Sequence, residues 1–477
     1  MKSIKFNFVM NIILTMSSFI FPLITFRYVS RILLPAGTGK VSFATSLVTY
    51  FNMFAQLGIP TYGIRACARV RDDRRELTRT AHELLFINLA MGLLSYVVLF
   101  VMLFTVPRLR EERCLYVIIS STILLSAIGM EWLYKGLEQY TYITVRAIIF
   151  KLAALAAIFL LIHRQEDYVI YGGISVFAAG ASNIVNLIAA RRLIDFKPVG
   201  NYHLKRHGRA IAIFFSMSCA TTIYTNLDTV MLGFMTDDME VGYYNAAMNI
   251  KSILVSIVTS LGAVLLPRCT YYVEHRLMEE FRRICAKALN FVVLSAAPLA
   301  VFFALFAHEG ILFLSGPAYE SAVRPMQIIM PTLLLIGLTN IMGLQILVPL
   351  GREHVVLASV SAGAMADLIL NMLLIPSFGA SGAAIGTVTA EFLVLIMQYQ
   401  ALKSEISGLL RQIRVAKILP ALMLGCAASL WVPLLSLGSF VTLVLSALLF
   451  FSFYGVFLLI TKEPLTTEIV RLILAKK

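Results

Sequence analysis

The chain is predicted to be an all-α, polytopic membrane protein, and three features of its sequence point to this class. Its 477 residues are 59% hydrophobic and 14% charged, whereas soluble domains carry about 25% charged residues. The apolar residues fall into runs of about twenty, the length that spans a bilayer core. Lys and Arg are concentrated on alternate connections between these runs, as expected for loops that stay in the cytoplasm.

About fourteen apolar runs are long enough to be transmembrane helices. No small-residue cleavage site follows the first run, so we expect it to be retained as a signal anchor. The predicted spans are 8–29, 41–62, 83–105, 114–133, 143–162, 168–189, 210–235, 243–267, 287–307, 325–349, 354–376, 380–402, 416–435 and 439–460.

The distribution of Lys and Arg predicts the orientation of these helices. Thirty of the forty basic side chains fall on the side that holds the N-terminus and eight on the other, while Lys151 and Lys251 lie within helices. The positive-inside rule therefore places both termini in the cytoplasm. The net charge of +14 is explained by topology and by anionic lipid heads, and no nucleic-acid partner is predicted.

Two apolar segments about two hundred residues apart are repeats of each other. When Gly39 is aligned with Gly242, polar residues occur at the same offsets in both segments. These pairs are Ser42 with Asn245, Ser46 with Asn249, and Thr49 with Ser252. Steps of four and three place each set on one helix face, and such stripes inside apolar helices should face protein or water.

The repeat predicts how the helices are organised. Residues 1–205 are expected to form an N-terminal six-helix half and residues 206–402 a C-terminal one. Residues 403–477 then add two further helices and a cytoplasmic tail. Because six is an even number, the halves are parallel repeats, and duplicated transporters of this kind enclose a central cavity.

Charged residues inside the helices are the first functional candidates, because a charge at the bilayer centre costs about 2.5–3.5 kcal/mol. Asp228, Asp367 and Glu391 are predicted to carry a coupling proton or cation, although a structural role is an alternative for each. Lys151 and Lys251 are predicted to line the cavity. Lys151 could instead snorkel to the cytoplasmic face, and Lys251 could pair with Asp228.

Three arginines are candidates for a phosphate site. Arg27 and Arg31 lie near the outer end of the first helix, and Arg65 at the inner end of the second. The planar guanidinium group stays charged and binds two oxygens at once, which suits a diphosphate. The alternative for each arginine is an anchor at the membrane interface.

Enzyme chemistry is not predicted. The six cysteines are scattered without disulfide or metal spacing, and no Gly-rich loop precedes a Lys-Ser or Lys-Thr pair. We expect no cofactor and no metal. Every connection is short, so the large acidic outer loop of a membrane-embedded transferase is missing.

Six segments of the chain form a recognisable set of motifs. They are Phe21–Arg31, Gly39–Ala44, Leu57–Arg65, Glu131–Glu138, Asp228–Gly233 and Asn371–Gly386. These segments resemble Wzx-type polysaccharide-repeat flippases of the multidrug/oligosaccharidyl-lipid/polysaccharide exporter superfamily. The resemblance covers nearly the whole chain, but Arg27 stands where the family usually has proline, and Leu34-Pro35-Ala36 replaces the usual Leu-Gly-Pro-Glu.

The resemblance implies a transporter that moves an undecaprenyl-diphosphate-linked oligosaccharide across the bacterial cytoplasmic membrane by alternating access. It also implies a polysaccharide polymerase and a chain-length regulator as partners, and H+ or Na+ as coupling ion. An ion-coupled multidrug exporter and a peptidoglycan-precursor flippase of the same superfamily are the alternatives. From other classes, a non-transporting scaffold for glycosyltransferases and a membrane-embedded transferase are open as well.

Overall fold

The computed structural model describes residues 4–403, 405, 408 and 414–467. This part of the chain is helical and contains no strand. Two π-helical turns, at Phe177–Ala181 and Ile341–Leu347, interrupt the helices. In chain order the helices are α1 Ile4–Gln56, α2 Ile59–Arg69, α3 Arg74–Thr105, α4 Pro107–Arg110, α5 Arg113–Gly129, α6 Glu131–Gly136, α7 Tyr140–Leu161, α8 Tyr168–Val176, α9 Ser182–Ala190, α10 Gly208–Met235, α11 Asp238–Glu274, α12 Met278–Leu305, α13 Ala307–Leu314, α14 Val323–Ile329, α15 Thr332–Asn340, α16 Glu353–Ala401, α17 Val415–Ser429 and α18 Ser439–Ile460.

Within the described residues, ten helical segments are long and apolar enough to cross a membrane. The number becomes eleven when the bent pair Pro317–Ile329 and Thr332–Leu347 is counted as one span. The predicted number of about fourteen stays a prediction.

Two long helices each cover two of the predicted spans and change direction between them. In α1 the break is at Leu34, with φ 58° and ψ 176°. This residue precedes Pro35, and the proline ring disfavours helical geometry in the residue before it. In α16 the break is at Gly379, with φ 52°, a conformation that glycine adopts without a Cβ penalty.

The long helices carry large apolar side chains on their outer faces. Leu93 and Phe100 of α3 are 68% and 60% exposed, and Leu160 of α7 is 73% exposed. Soluble proteins rarely expose contiguous apolar surface of this kind. These faces are suited to contact with lipid, as the composition predicts.

The chain divides into two compact units, one ending at Gly242 and the other beginning at Tyr243. In unit 1, α10 packs against α1 and α2, so the unit extends past residue 205. Packing and internal duplication are separate properties, and the predicted repeat boundaries at 205 and 402 stay predictions.

Each unit has its own apolar core. In unit 1, Ile59, Leu84 and Leu133 join α2, α3 and α6 in one buried cluster. In unit 2, Phe302 of α12 and Phe450 of α18 belong to a cluster that also includes α17. Full burial of such a side chain contributes about 1.5–3 kcal/mol, so the two last helices are firmly packed into unit 2.

Candidate functional site

The predicted polar stripe of α1 lies in unit 1 and is half-buried. Ser42, Ser46 and Thr49 are all neither fully buried nor fully exposed. Thr49 lines a cavity of about 230 Å³ together with Thr45 and Asn52 of the same helix. Ser42 and Ser46 are not among the residues that line it. The structure therefore brings one member of the predicted stripe to a cavity.

The three arginines predicted to bind a diphosphate have exposed side chains. Arg27 and Arg31 lie on α1 just before the bend at Leu34, four residues apart and thus on one face. Arg65 lies on α2, on a separate helix. A shared diphosphate site for the three side chains stays a prediction.

Lys151 connects two helices within unit 1. Its ammonium group donates a hydrogen bond of 2.9 Å to the hydroxyl of Ser17 on α1. The side chain is half-buried. The structure thus shows that Lys151 joins α7 to α1. The two roles suggested by the sequence were lining the cavity and snorkelling to the cytoplasmic face, and the cavity role stays a prediction.

Asp228 of α10 is nearly buried, with 7% of its surface exposed. The polar residues just before it bond mainly to their own helix, since Asn226 donates to the Thr222 carbonyl at 3.1 Å and Thr225 to the Thr221 carbonyl at 2.9 Å. A buried carboxylate is costly unless it is paired or hydrogen-bonded. Asp228 therefore keeps its place as a functional candidate, and its predicted pairing with Lys251 stays a prediction.

The corresponding stripe of unit 2 has one buried cation beside it. Asn245 and Asn249 of α11 are half-buried, and Ser252 is exposed and donates to the Asn249 carbonyl at 3.0 Å. Lys251, one residue before Ser252, is 7% exposed. The lysine is thus the most protected polar group of this stretch, and its substrate role stays a prediction.

Unit 2 also contains a buried polar cluster on α16. Asp367 and Asn371, one turn apart, both face Gly386, because a Cβ atom added there would lie 2.9 Å from the Asp367 oxygen Oδ1 and 2.5 Å from the Asn371 oxygen Oδ1. The next residue, Thr387, lies 3.1 Å from the hydroxyl of Tyr244. All four polar side chains are buried.

Glu391 follows Thr387 by four residues on the same helix and is 5% exposed. Two of the predicted coupling-ion residues, Asp367 and Glu391, are therefore buried carboxylates of one helix. In the described part of the chain, no group of three or more His, Cys, Asp and Glu side chains could hold a metal ion. A coupling ion here would have to be bound partly by amide, hydroxyl or backbone oxygens.

The two glycines that the repeat aligns are brought together within unit 1. A Cβ atom added at Gly39 would lie 1.7 Å from the Asp238 carbonyl oxygen, and one added at Gly242 would lie 2.1 Å from the Pro35 carbonyl oxygen. Asp238 and Pro35 each precede their own glycine by four residues, so the contact is symmetric. We call these four residues the glycine contact; the two backbones touch there and leave no room for a side chain.

Ion pairs surround the glycine contact. The Arg108 guanidinium lies 2.7 Å from the Asp238 carboxylate, and the Lys40 ammonium lies 2.5 Å from the Glu112 carboxylate. The Tyr168 hydroxyl donates to the second Glu112 oxygen at 2.8 Å. These pairs are partly exposed. Side chains of α4, α1 and α11 are thus held beside the glycines by charge.

The N-terminal part of α3 carries a buried charge cluster. Glu83 is fully buried and accepts from the His203 backbone at 2.6 Å and from the Arg206 guanidinium at 2.6 Å. His207 lies between the Glu83 carboxylate, at 2.8 Å, and the Tyr62 hydroxyl, at 2.7 Å. We call these residues, with Thr80 as a further Arg206 partner, the Glu83 cluster.

The ion pairs beside the glycine contact and the Glu83 cluster were not predicted from the sequence. Arg206 was counted among the basic side chains that set topology, and Glu83 is the first residue of the predicted span 83–105. The repeated glycines were a usable signal for the glycine contact. The signal available for the Glu83 cluster was weak. It consisted of a carboxylate inside an apolar helix and of an adjacent Arg and His far along the chain.

Two protein-family models match this chain. The model described as polysaccharide biosynthesis protein matches residues 4–273, which is more than half of the chain. The model named MatE matches residues 213–373. Together they cover residues 4–373, which include nearly all of unit 1 and part of unit 2.

Two curated relatives match along most of the sequence. The relative from Escherichia coli (strain K12), named "Putative O-antigen transporter", is 24% identical over 398 residues, which are 82% of this chain and 95% of the relative. A relative of the same name from Shigella dysenteriae is 23% identical over 395 residues, which are 81% of this chain and 97% of the relative.

A solved structure shares the fold. The lipid II flippase MurJ in an inward closed conformation superposes with a TM-score of 0.70 and 16% identity, covering 96% of this chain and 100% of that chain. This likeness confirms the all-α polytopic fold that the sequence predicted. Since the first family model matches more than half of the chain, as the motifs led us to expect, the chain belongs to the polysaccharide biosynthesis protein family.

Proposed function

We propose that the chain is a flippase that moves an undecaprenyl-diphosphate-linked oligosaccharide repeat unit from the cytoplasmic to the outer leaflet. The observation that carries the proposal is the end-to-end match to the E. coli relative, which spans 95% of that protein. The repeat unit would serve assembly of O-antigen, capsule or exopolysaccharide. The membrane would be the bacterial inner membrane, with both termini in the cytoplasm, and transport rather than catalysis would be the activity.

The chemistry of the substrate explains why polar groups are buried in these apolar helices. Sugars and a diphosphate lose their hydration in hydrocarbon at high cost, while a polyprenyl tail can stay in lipid. Hydroxyls, amides and cations inside the protein would replace the lost water. Arg27, Arg31, Arg65 and Lys251 would attract the diphosphate, and half-buried groups such as Asn245 would meet the sugars.

The glycine contact supports alternating access. With the N-terminus in the cytoplasm, this contact lies at the outer end of unit 1 and the Glu83 cluster at the cytoplasmic end. Backbone touching backbone closes the outer end without any side chain between. We expect this contact to separate when the flippase opens outwards, because its ion pairs are partly exposed and can be rehydrated.

Coupling would use the buried carboxylates. Asp367, with Asn371 and Thr387 beside Gly386, offers carboxylate, amide and hydroxyl oxygens of the kind that bind Na+ or relay a proton, and Glu391 and Asp228 are the further candidates. A polysaccharide polymerase and a chain-length regulator are proposed partners, because flipped units must next be polymerised.

A deletion strain of the source organism tests the proposal. Surface polysaccharide and lipid-linked repeat units are quantified, and the membrane face that holds the units is determined. We expect lost polymer and complete units trapped on the cytoplasmic face, both restored by the wild-type gene. Normal polymer without trapped units, in a strain free of a redundant flippase, would refute the proposal, and a gain in drug tolerance on overexpression would then favour a multidrug exporter.

The charge assignment is tested in the same strain. Arg31→Ala and Lys251→Ala should each lower polymer at normal protein level, because each removes a cation proposed to attract the diphosphate. Arg75→Ala removes an exposed arginine that has no proposed role, and serves as the matched control. Normal flipping by both test variants would show that the assignment is wrong.

A further inference from the structure

A cavity inside unit 1 has the character of a binding site. Three helical segments enclose its volume of about 230 Å³. α1 contributes two threonines and an asparagine, α5 contributes a threonine, a serine and an isoleucine, and the stretch from α8 into the first π-helical turn contributes the remainder. The polar residues of this lining are Thr45, Thr49, Asn52, Thr122, Ser126 and Ser175.

The size of the cavity limits what it can hold. Its lining positions on each segment span eight or nine residues, so the cavity runs roughly 11 Å along the helices. Its volume corresponds to about eight waters at roughly 30 Å³ each. This lies below the roughly 300–1,000 Å³ of pockets for drug-sized ligands, and it suits a single ring rather than an oligosaccharide.

Three polar groups of the cavity are able to accept hydrogen bonds from a ligand. Thr49 donates its hydroxyl proton to the Thr45 carbonyl at 2.7 Å, and Thr122 donates to the Ile119 carbonyl at 2.7 Å. The lone pairs of these hydroxyls remain able to accept. The amide oxygen of Asn52 is buried and has no hydrogen-bond partner within the described part of the chain. Buried polar atoms of this kind usually find a partner, which a ligand carrying hydroxyl donors would supply.

The remaining wall is mainly apolar, with Ser175 as its polar side chain. Gly172, Val176, Ala179 and Gly180 come from α8 and the π-helical turn Phe177–Ala181, and such turns are frequent at functional sites. No Asp, Glu, Lys or Arg occurs among the lining residues. A neutral site with hydroxyl and amide groups on one side and a mainly apolar wall on the other suits the two faces of a sugar ring.

We propose that this cavity is a subsite for one neutral sugar residue of the transported oligosaccharide. The inference rests on the proposed flippase function and names a part of its substrate site. Hydroxyl donors of the sugar would bind Asn52, Thr49 and Thr122, and the carbon face of the ring would lie on the wall from α8. The proposed diphosphate contacts lie elsewhere, on the arginines and Lys251.

Binding is tested on the full-length protein in lipid nanodiscs by saturation-transfer NMR. The probes are D-glucose, D-galactose, L-rhamnose and N-acetyl-D-glucosamine, each added alone. We expect at least one probe to bind. Thr49→Val keeps the shape of the side chain and Asn52→Leu removes the open amide, so each should weaken binding roughly tenfold, as expected for a lost hydrogen bond. Ser126→Leu fills the cavity and should abolish binding.

Ser121 supplies the matched control. It neighbours Thr122 and donates to the Ile118 carbonyl at 2.6 Å in the same manner, but it is not a lining residue. Ser121→Ala should leave binding unchanged. Thermal unfolding of each variant separates lost binding from lost fold, and Thr49→Val keeps the test decisive if Ser126→Leu does not fold.

The inference is overturned in the binding assay if no probe binds, if binding survives Ser126→Leu in a folded protein, or if ²³Na NMR shows Na+ binding that Thr49→Val removes. Such Na+ binding would make the occupant a cation. The deletion-strain assay separates this inference from the proposed function. Flipping that is unaffected by the cavity variants would leave the flippase standing and the subsite refuted, whereas a wild-type protein that does not flip would refute the flippase itself.

Discussion

The two ends of unit 1 are held together by different kinds of contact. At the glycine contact, backbone meets backbone, and the ion pairs beside it are open to solvent, with Arg108 31% and Asp238 16% exposed. In the Glu83 cluster, a carboxylate that is 0% exposed binds a backbone amide, a guanidinium and an imidazole. Glu83 and the last residue of α3 are 22 positions apart, which is about 33 Å along the helix.

This difference indicates which end can open. Breaking a partly exposed pair returns both charges to water and costs little. Breaking a buried pair leaves an uncompensated charge, at a cost of about 3–5 kcal/mol. The glycine contact is therefore suited to a reversible gate, and the Glu83 cluster to a permanent fastening of the segment before α10 onto α2 and α3.

The largest effect is expected at Glu83. Glu83→Ala leaves the buried imidazole of His207 and the His203 amide without their acceptor, while Arg206, 39% exposed, can turn to water. The free energy of unfolding should fall by about 3 kcal/mol, the lower end of the range for a broken buried pair. Titration with SDS in mixed micelles measures it.

Glu76→Gln is the control for this prediction. Glu76 lies two turns earlier on α3, is 35% exposed and is 3.9 Å from the same Arg206. Its loss should cost less than about 1 kcal/mol, as for other exposed pairs. Equal effects of the two variants would contradict the distinction between a buried fastening and an exposed gate.

The next effect is expected at the glycine contact. Gly39→Ala puts a methyl group into the Asp238 carbonyl, and Gly242→Ala puts one into the Pro35 carbonyl. Overpacking of this kind costs about 1–3 kcal/mol, and the contact should separate rather than the unit unfold. Labelling of Thr38→Cys, a buried position, by an impermeant maleimide should rise in a Cys114→Ser background, and polymer export should fall.

Gly92→Ala provides the matched control, because no atom lies within 4 Å of a Cβ added there. It should change neither labelling nor export. If Gly39→Ala left the labelling at the level of Gly92→Ala, the glycine contact would not be what keeps Thr38 buried.

The helical fold could be predicted from the sequence because helix formation in a membrane depends on the local run of residues. A run of twenty apolar residues has few alternatives in a membrane, since every backbone group must be satisfied within the helix. The breaks were less predictable. Residues 30–40 were predicted to be a loop between two helices. In the structure Leu34 takes a left-handed φ beside Pro35, and the helix continues past this break.

The candidate site was predictable only in part. Burial of Asp228, Lys251, Asp367 and Glu391 follows from the rule that charges avoid lipid, so residue type and position sufficed. The partners of Glu83 lie about 120 positions away in sequence, and nothing in a single sequence encodes such a distance. The helix face that Thr49 presents to its cavity is set by packing of α5 and α8, which composition does not specify.

The smallest effect is expected for the ion pair beside the glycines, and it tests the comparison most finely. Arg108 binds Asp238 and also donates to the Gly233 carbonyl at 3.2 Å. A single variant of Arg108 would therefore overestimate the interaction energy of the ion pair. A double-mutant cycle of Arg108→Gln and Asp238→Asn should give a coupling energy of at most about 1 kcal/mol. The coupling should shrink as salt is raised towards 1 M, because the Debye length then falls to about 3 Å, close to the separation of the two charges. Arg110→Gln on the same short helix is the control and should show no coupling to Asp238. A salt-independent coupling of several kcal/mol would mean that this pair behaves as the Glu83 cluster does, and the glycine contact would then be a fastening and not a gate.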